Sequence, residues 1–158
     1  MANNFTQFSF AFDATPDQAA WLAAVHDACA NEGKPEALPH WPSFDALQIL
    51  MDQCAAGDLV ASVDIAYASG ELWLHASDCG DVEYTAELLT GFLEAFDLPT
   101  VLSFTWANTC SAMRCGEFDG GAAVITKREI RWLSPSRWID QQTIEIAQDA
   151  TYFVRTDA

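Results

Sequence analysis

The hydrophobic pattern of this chain alternates between two periods, and the order of those periods is its strongest constraint on the fold. Phe8, Phe10 and Phe12 recur at every second residue, as in a strand with one buried face. A helix begins directly afterwards, because Thr15 is a favourable N-cap and Gln18 completes a capping box. The same alternation continues along the chain and predicts the order β-α-α-β-β-α-β-β-β-α.

The boundaries of the predicted elements follow from turn and capping residues. After the first strand, strands are predicted at residues 59–67, 71–77, 101–107, 122–126 and 130–133. Helices are predicted at residues 15–33 and 43–57, from Asp78 or Asp81 to about Asp97, and from Ser134 onward. In the last helix, Trp138 and Ile139 are expected to face the core.

This order contains the split βαβ pattern of ferredoxin-like sheets, in which two helices cover one face of an antiparallel sheet. The predicted fold class is therefore α+β, with a C-terminal hairpin and helix added to that pattern. A chain of 158 residues that is 51% hydrophobic can form one domain over residues 1–158. With no apolar run of about 20 residues and no signal-like start, we expect a cytoplasmic protein.

The net charge is extreme, since 7 basic residues stand against 23 acidic ones and give −16. Residues 1–113 contain 16 acids and a single base, Lys34. Such a surface argues against direct binding of nucleic acid or of an anionic membrane, and it attracts basic partners. The alternative is that the charge serves only to keep the protein in solution.

The third predicted helix concentrates this charge on one side. Glu83, Glu87 and Glu94, here called the acidic ridge, are spaced by four and seven residues, and Asp97 is expected to continue the row. No Lys or Arg is close in sequence to pair with these carboxylates, so they repel one another. We interpret the row as a candidate binding surface that imitates the phosphates of a nucleic acid.

Two thiols near the end of the fourth predicted strand invite a chemical interpretation. Cys110 and Cys115 have four residues between them, but a structural zinc site requires a second ligand pair, and the three histidines fall in separate predicted elements. Arg114 could lower the pKa of Cys115, yet no histidine is close in sequence to act as a base. We therefore expect no metal, no cofactor and no catalytic residues.

The segment that follows predicts a surface loop. Gly120 and Gly121 come after two acids and before a strand, which is unlike a phosphate-binding loop and fits left-handed or closely packed backbone. Loops between strands are favoured recognition sites, so Glu117, Phe118 and Asp119 are candidate partner contacts.

An aromatic pair forms a second candidate surface. Trp73 and His75 share the face of their strand that is turned away from the core, and they are a possible ligand-binding face. The proline-rich segment 35–42 could instead cover them.

The residues from Val101 to Thr126 resemble a set of small acidic proteins encoded on phages, plasmids and integrated elements of Proteobacteria. The similarity rests on these segments: Phe104-Thr-Trp106, Thr109-Cys110-Ser111, Gly116-Glu-Phe118, Gly120 to Thr126, Trp132, Phe5 to Phe12 and Leu72 to His75. The family pattern commonly has Lys-Pro-Arg where this chain has Ala112-Met113-Arg114, and Cys115 lies outside it. The resemblance implies no activity. It implies a mobile-element gene in a bacterial host cell, a setting rich in small acidic proteins that block host defence or DNA-handling machinery.

These observations favour an acidic binding protein of a mobile genetic element over an enzyme. It would inhibit a host nucleic-acid-binding defence complex, of the anti-CRISPR or anti-restriction type, by occupying the basic surface of that complex. One alternative is a small enzyme or small-molecule-binding protein that uses the Trp73/His75 face or the Cys110 loop. Another is an accessory subunit in replication or transfer, with its mixed-charge C-terminal part as the contact.

Overall fold

The computed structural model of the protein describes residues 3–31, 44–112 and 118–148, with the backbone alone for residues 44–47. The strands are β1 (Asn4–Asp13), β2 (Asp64–Ala68), β3 (Glu71–Ala76), β4 (Leu102–Cys110), β5 (Asp119–Ile125) and β6 (Ile130–Leu133). The helices are α1 (Pro16–Ala30), α2 (Phe44–Ala56), α3 (Val82–Ala95) and α4 (Pro135–Gln148). None of the helices in the described ranges is long and apolar enough to cross a membrane.

The six strands form one antiparallel sheet in the order β2-β3-β1-β4-β5-β6. β1 and β2 run parallel with β3 between them, and β3 and β4 run parallel with β1 between them. These two interlocked split βαβ units make up the ferredoxin-like pattern. β5, β6 and α4 extend it at the β4 edge, so the predicted α+β class and element order are confirmed.

One face of the sheet carries the core. On β1, Phe8, Phe10 and Phe12 lie beside Ala76, Leu74 and Leu72 of β3. Phe8 also pairs with Trp106 of β4. Helices α1, α2 and α3 cover this face. The Phe12 ring of β1 packs 5.6 Å from the ring of Phe92 on α3, which joins the sheet to that helix. The Trp21 ring on α1 packs 6.2 Å from Phe92, which joins the two helices. The opposite surface of the sheet is called the open face below.

Local signals explain why α1 and α3 begin where they do. The Thr15 hydroxyl accepts a hydrogen bond from the Gln18 amide and the Gln18 side chain accepts one from the Thr15 amide, which completes the predicted capping box. Asp81, one of the two predicted caps, is the N-cap of α3 and accepts from the Tyr84 amide at 2.9 Å. Helix α1 ends at Ala30, before the predicted stop at Gly33, which lies outside the described residues.

The second strand is shorter than predicted, because it begins at Asp64 and not at residue 59. Leu59 and Val63 are buried as the alternating pattern requires. Their backbone is held differently, however, since the Val60 amide donates to the Asp81 carboxylate and the Ser62 hydroxyl donates to the Cys79 carbonyl. The residues from 59 to 63 therefore line the start of α3 and do not pair in the sheet.

The predicted loop at residues 116–120 is partly wrong. Asp119, Gly120 and Gly121 belong to β5, where Gly120 pairs with Ala107 and Gly121 with Trp106. Neither glycine has a positive φ, so close packing and not left-handed backbone explains them.

Helix α4 departs most from expectation. It buries none of its residues, and Trp138 and Ile139 are 58% and 56% exposed, so the prediction that they face the core is wrong. Its first turn borders a cleft that is also lined by open-face residues Ala107, Ala122 and Leu133. The helix therefore begins beside the open face, away from α1, α2 and α3.

Candidate functional site

The acidic ridge is a continuous exposed row on α3. All three of its carboxylates are exposed, while the residues on the other side of the helix are buried in the core. At about 100° per residue the three side chains fall within about 40° of arc, and they span about 16 Å of helix at about 1.5 Å per residue. Helix geometry alone thus places them on one line.

The ridge has no internal charge compensation. The described residues from 3 to 31 and from 44 to 112 contain 14 acids and neither Lys nor Arg. Glu83 lies one turn before Glu87, and partial desolvation together with the Glu83 charge raises the pKa of Glu87. The repulsion predicted from the four-residue spacing is therefore present in the folded protein.

Asp97 does not continue the ridge as an unpaired charge. The Lys127 ammonium, from the turn between β5 and β6, donates to the Asp97 carboxylate, and this contact lowers the pKa of Asp97. The prediction that no base pairs with the row is thus wrong at this one position. The cation comes from a residue 30 positions away, which the local sequence could not indicate.

The charge density of the ridge is lower than that of a DNA strand. One strand of B-DNA carries a phosphate about every 3.4 Å, which is about five charges over the length of the ridge. The acidic ridge offers three. It is suited to attract a basic surface, but it does not reproduce phosphate spacing by itself.

The Trp73/His75 pair lies on the open face as predicted. The two rings are stacked with centroids 4.0 Å apart, and the Trp73 indole N–H donates to the Ser9 hydroxyl at 2.8 Å. His75 Nδ1 lies 3.7 Å from the Asp64 carboxylate, and Trp73 remains 45% exposed. The segment 35–42, proposed as its cover, lies outside the described residues.

The surroundings of this pair are acidic. Asp13 and Glu71 are directly opposite each other in β1 and β3, one residue pair removed along the open face from Trp73. An aromatic face next to carboxylates is a favourable environment for an organic cation or a basic side chain. The open face therefore shares with the ridge a preference for positive charge.

Of the three candidate contacts in the predicted loop, the structure describes two, Phe118 and Asp119. Glu117 lies outside the described residues. Phe118 is 52% exposed, and Asp119, the first residue of β5, accepts a hydrogen bond from the Ser136 hydroxyl at 3.0 Å. Phe118 and Asp119 line the cleft beside α4, which has a volume of about 670 Å³. They belong to a surface separate from the ridge.

A buried polar cluster was missed by the sequence analysis. The hydroxyl of Tyr84, a fully buried residue on α3, is 2.8 Å from His26 Nδ1, and Tyr84 also interacts with Cys29. Burial raises the pKa of the Cys29 thiol to about 12 and lowers the pKa of His26. These groups are held neutral, so the cluster is suited to hydrogen bonding between α1 and α3 and not to nucleophilic chemistry. His26 lies on the inward-facing side of α1 with Leu22 and Cys29, a signal that could have indicated its burial.

Within the ranges that the structure covers, no three metal-ligating side chains converge and no disulfide is formed. Cys110 is a half-buried residue at the end of β4, and Cys115 lies outside those ranges. Comparison of the chain with protein families, with curated proteins and with solved structures found no match. Function is therefore argued from the surfaces alone.

Proposed function

We propose that this protein is an acidic binding protein that occupies the basic surface of a protein or protein–nucleic-acid complex. The observation that carries the proposal is the acidic ridge, which presents three exposed carboxylates on a body whose described residues up to 112 include no Lys or Arg. The target we propose is a host nucleic-acid-binding defence complex, of the anti-CRISPR or anti-restriction type, and the gene would belong to a mobile element.

Unpaired carboxylates raise the free energy of the isolated protein. Each like-charge pair at four-residue spacing costs a few tenths of a kcal/mol, and a basic partner removes that cost when it binds. The summed negative field also accelerates encounter with a basic surface. The proposal therefore accounts for a feature that folding alone does not require.

The test is affinity capture from a lysate of a bacterium that carries such defence systems. The tagged protein is compared with a variant in which Glu83, Glu87 and Glu94 are all changed to Lys. We expect the unaltered protein to retain a nucleic-acid-binding complex, to release it at moderate salt, and to block DNA binding by that complex in a mobility-shift assay. The reversed ridge should lose both effects.

The matched control changes Asp17, Asp52 and Asp58 to Lys, which alters the net charge equally but on exposed sites outside both candidate surfaces. Retained binding by this control assigns the effect to the ridge and not to total charge. Capture of the same complex by the reversed ridge would contradict the proposal. Circular dichroism must show that both variants remain folded.

A second candidate function is binding of a small organic cation at the Trp73/His75 pair. It is favoured by the stacked, exposed rings with the Asp64 carboxylate beside them. Tetramethylammonium and arginine are suitable probes, with Trp73 fluorescence and melting temperature as readouts. A response that disappears in Trp73→Ala and His75→Ala, with the fold preserved, would support this function, and no response to either probe would exclude the cation class.

A further inference from the structure

The C-terminal part of the described chain exposes a group of large apolar side chains. We call this group the C-terminal apolar surface. Its members are 41% to 58% exposed: Phe118, Val124, Leu133, Trp138, Ile139 and Ile146. Phe118, Leu133 and Ile139 line one cleft between α4 and the open face.

Helix α4 has too little packing against the rest of the described chain to explain its stability. It is 14 residues long and none of its residues is buried. Isolated helices of about 12–15 residues are marginal in water, and most helical stability in proteins comes from packing of an apolar face. Trp138, Ile139 and Ile146 lie within about 100° of arc on α4, so an apolar stripe is present and largely uncovered.

The area of this surface is that of an interface. Half-exposed aromatic and branched side chains each leave on the order of 100 Å² accessible, so the six together present roughly 600 Å² of apolar surface. Monomers rarely exceed about 300–600 Å² in one apolar patch, and a standard interface buries about 800 Å² per partner. Together with a rim of polar atoms, the C-terminal apolar surface is large enough to bury about 800 Å² per partner.

The charge distribution identifies the occupant. Residues 118–148 contain four acids and four bases and are neutral, while the described residues before them contain 14 acids and no Lys or Arg. A neutral apolar surface offers a basic partner no electrostatic attraction. A second copy of this chain, which carries −16, is repelled everywhere else and can approach closely here.

We propose that the C-terminal apolar surface is the interface of a homodimer. Strand β6 is at the edge of the sheet, with no described strand beyond it. An antiparallel strand edge can pair with its own copy across a twofold axis, which is the usual symmetry of dimers. The same axis brings α4 of each copy onto the apolar surface of the other. The two acidic ridges remain free, so dimerisation is compatible with the proposed function but does not depend on it.

The experiment is sedimentation equilibrium of the full chain from low micromolar to several hundred micromolar concentration. We expect the mass to rise from 17.3 kDa toward twice that value. Ile139→Glu should raise the dimer Kd at least about 100-fold, because each dimer would bury two unpaired carboxylates. The matched control is Ile49→Glu, since Ile49 is 58% exposed on α2 and the added charge is the same. The control should dimerise like the unaltered chain.

Two results would overturn the proposal. One is a monomeric unaltered chain at every concentration. The other is a dimer whose Kd is unchanged in both Ile139→Glu and Ile146→Glu, since each variant places a carboxylate on a different turn of α4. Far-UV circular dichroism of every variant distinguishes loss of dimer from loss of fold, and because both sites are exposed, we expect the fold to be retained.

Discussion

The packing of Gly121 against Trp106 predicts a large effect from the smallest possible substitution. A Cβ atom at position 121 would overlap the six-membered ring of the Trp106 indole and would lie 2.6 Å from the Leu133 carbonyl oxygen. The Trp106 ring has little freedom to move away. It packs 6.0 Å from the Phe104 ring and 5.8 Å from the Trp132 ring. Gly121→Ala must therefore displace Trp106 or strand β6.

The expected cost is that of an overpacked site, about 1–3 kcal/mol in the free energy of unfolding. For a chain of this length each kcal/mol corresponds to about 2–4 °C, so the melting temperature should fall by roughly 2–12 °C. Urea denaturation measures the cost directly. The midpoint should fall with the slope unchanged, because the surface exposed on unfolding is nearly the same.

Gly91→Ala is the control and should have the opposite sign. Gly91 is inside α3, and a Cβ there would meet no atom within 4 Å. Alanine is favoured over glycine in a helix, so stability should rise by about 0.5–1 kcal/mol. If Gly121→Ala cost less than about 0.5 kcal/mol, the tight contact between β5 and Trp106 would be refuted.

Three further predictions concern charge and the buried cluster. Glu87→Gln should stabilise the protein by a few tenths of a kcal/mol at pH 7, because it removes a partly desolvated charge and the repulsion of that charge by Glu83. The gain should vanish below the ordinary carboxyl pKa of 4.5, where Glu87 is protonated in both the folded and the unfolded chain. Tyr84→Phe should cost about 1 kcal/mol in chemical denaturation, since the hydrogen bond with His26 is lost. Burial lowers the pKa of His26 on folding, so near pH 6.5 the unfolded chain binds a proton that the folded chain does not. The free energy of unfolding should therefore fall as pH drops through 6.5, and this fall should be smaller in His26→Gln.

The parts of the fold that could be predicted from the sequence are those fixed by local chemistry. The capping box at Thr15 and the N-cap at Asp81 set two helix starts. The turn at Ser69 and Gly70 uses two positive φ values, 55° and 86°, and fixes the β2–β3 hairpin. The residues from 59 to 63 were wrongly assigned to a strand. Their alternating apolar pattern indicates which side chains are buried, but it does not indicate whether the backbone hydrogen-bonds to another strand.

In the candidate surfaces, too, the features set by local sequence could be predicted and those set by long-range contacts could not. The acidic ridge was predictable, because spacings of four and seven residues place side chains together on any helix. The contact between Asp64 and His75 follows from the hairpin register, which pairs these two residues. The ion pair of Asp97 with Lys127 was not predictable, since it depends on how β5 and β6 turn back toward the end of α3. For α4, the sequence indicated an apolar stripe but not what lies against it.

Salt should act in opposite directions on the two proposed surfaces, and this distinguishes them in a single preparation. Attraction between the acidic ridge and a basic partner is screened as the Debye length falls to about 10 Å at 0.1 M salt, so partner affinity should decrease. Two chains that each carry −16 repel one another, so the same screening should strengthen self-association through the neutral C-terminal apolar surface. Sedimentation equilibrium of the protein alone and retention of the captured complex, measured over one salt series, give both trends. A dimer that dissociates as salt rises would mean that opposite charges hold it together, which contradicts an apolar interface. Partner binding that is indifferent to salt would contradict the role of the ridge.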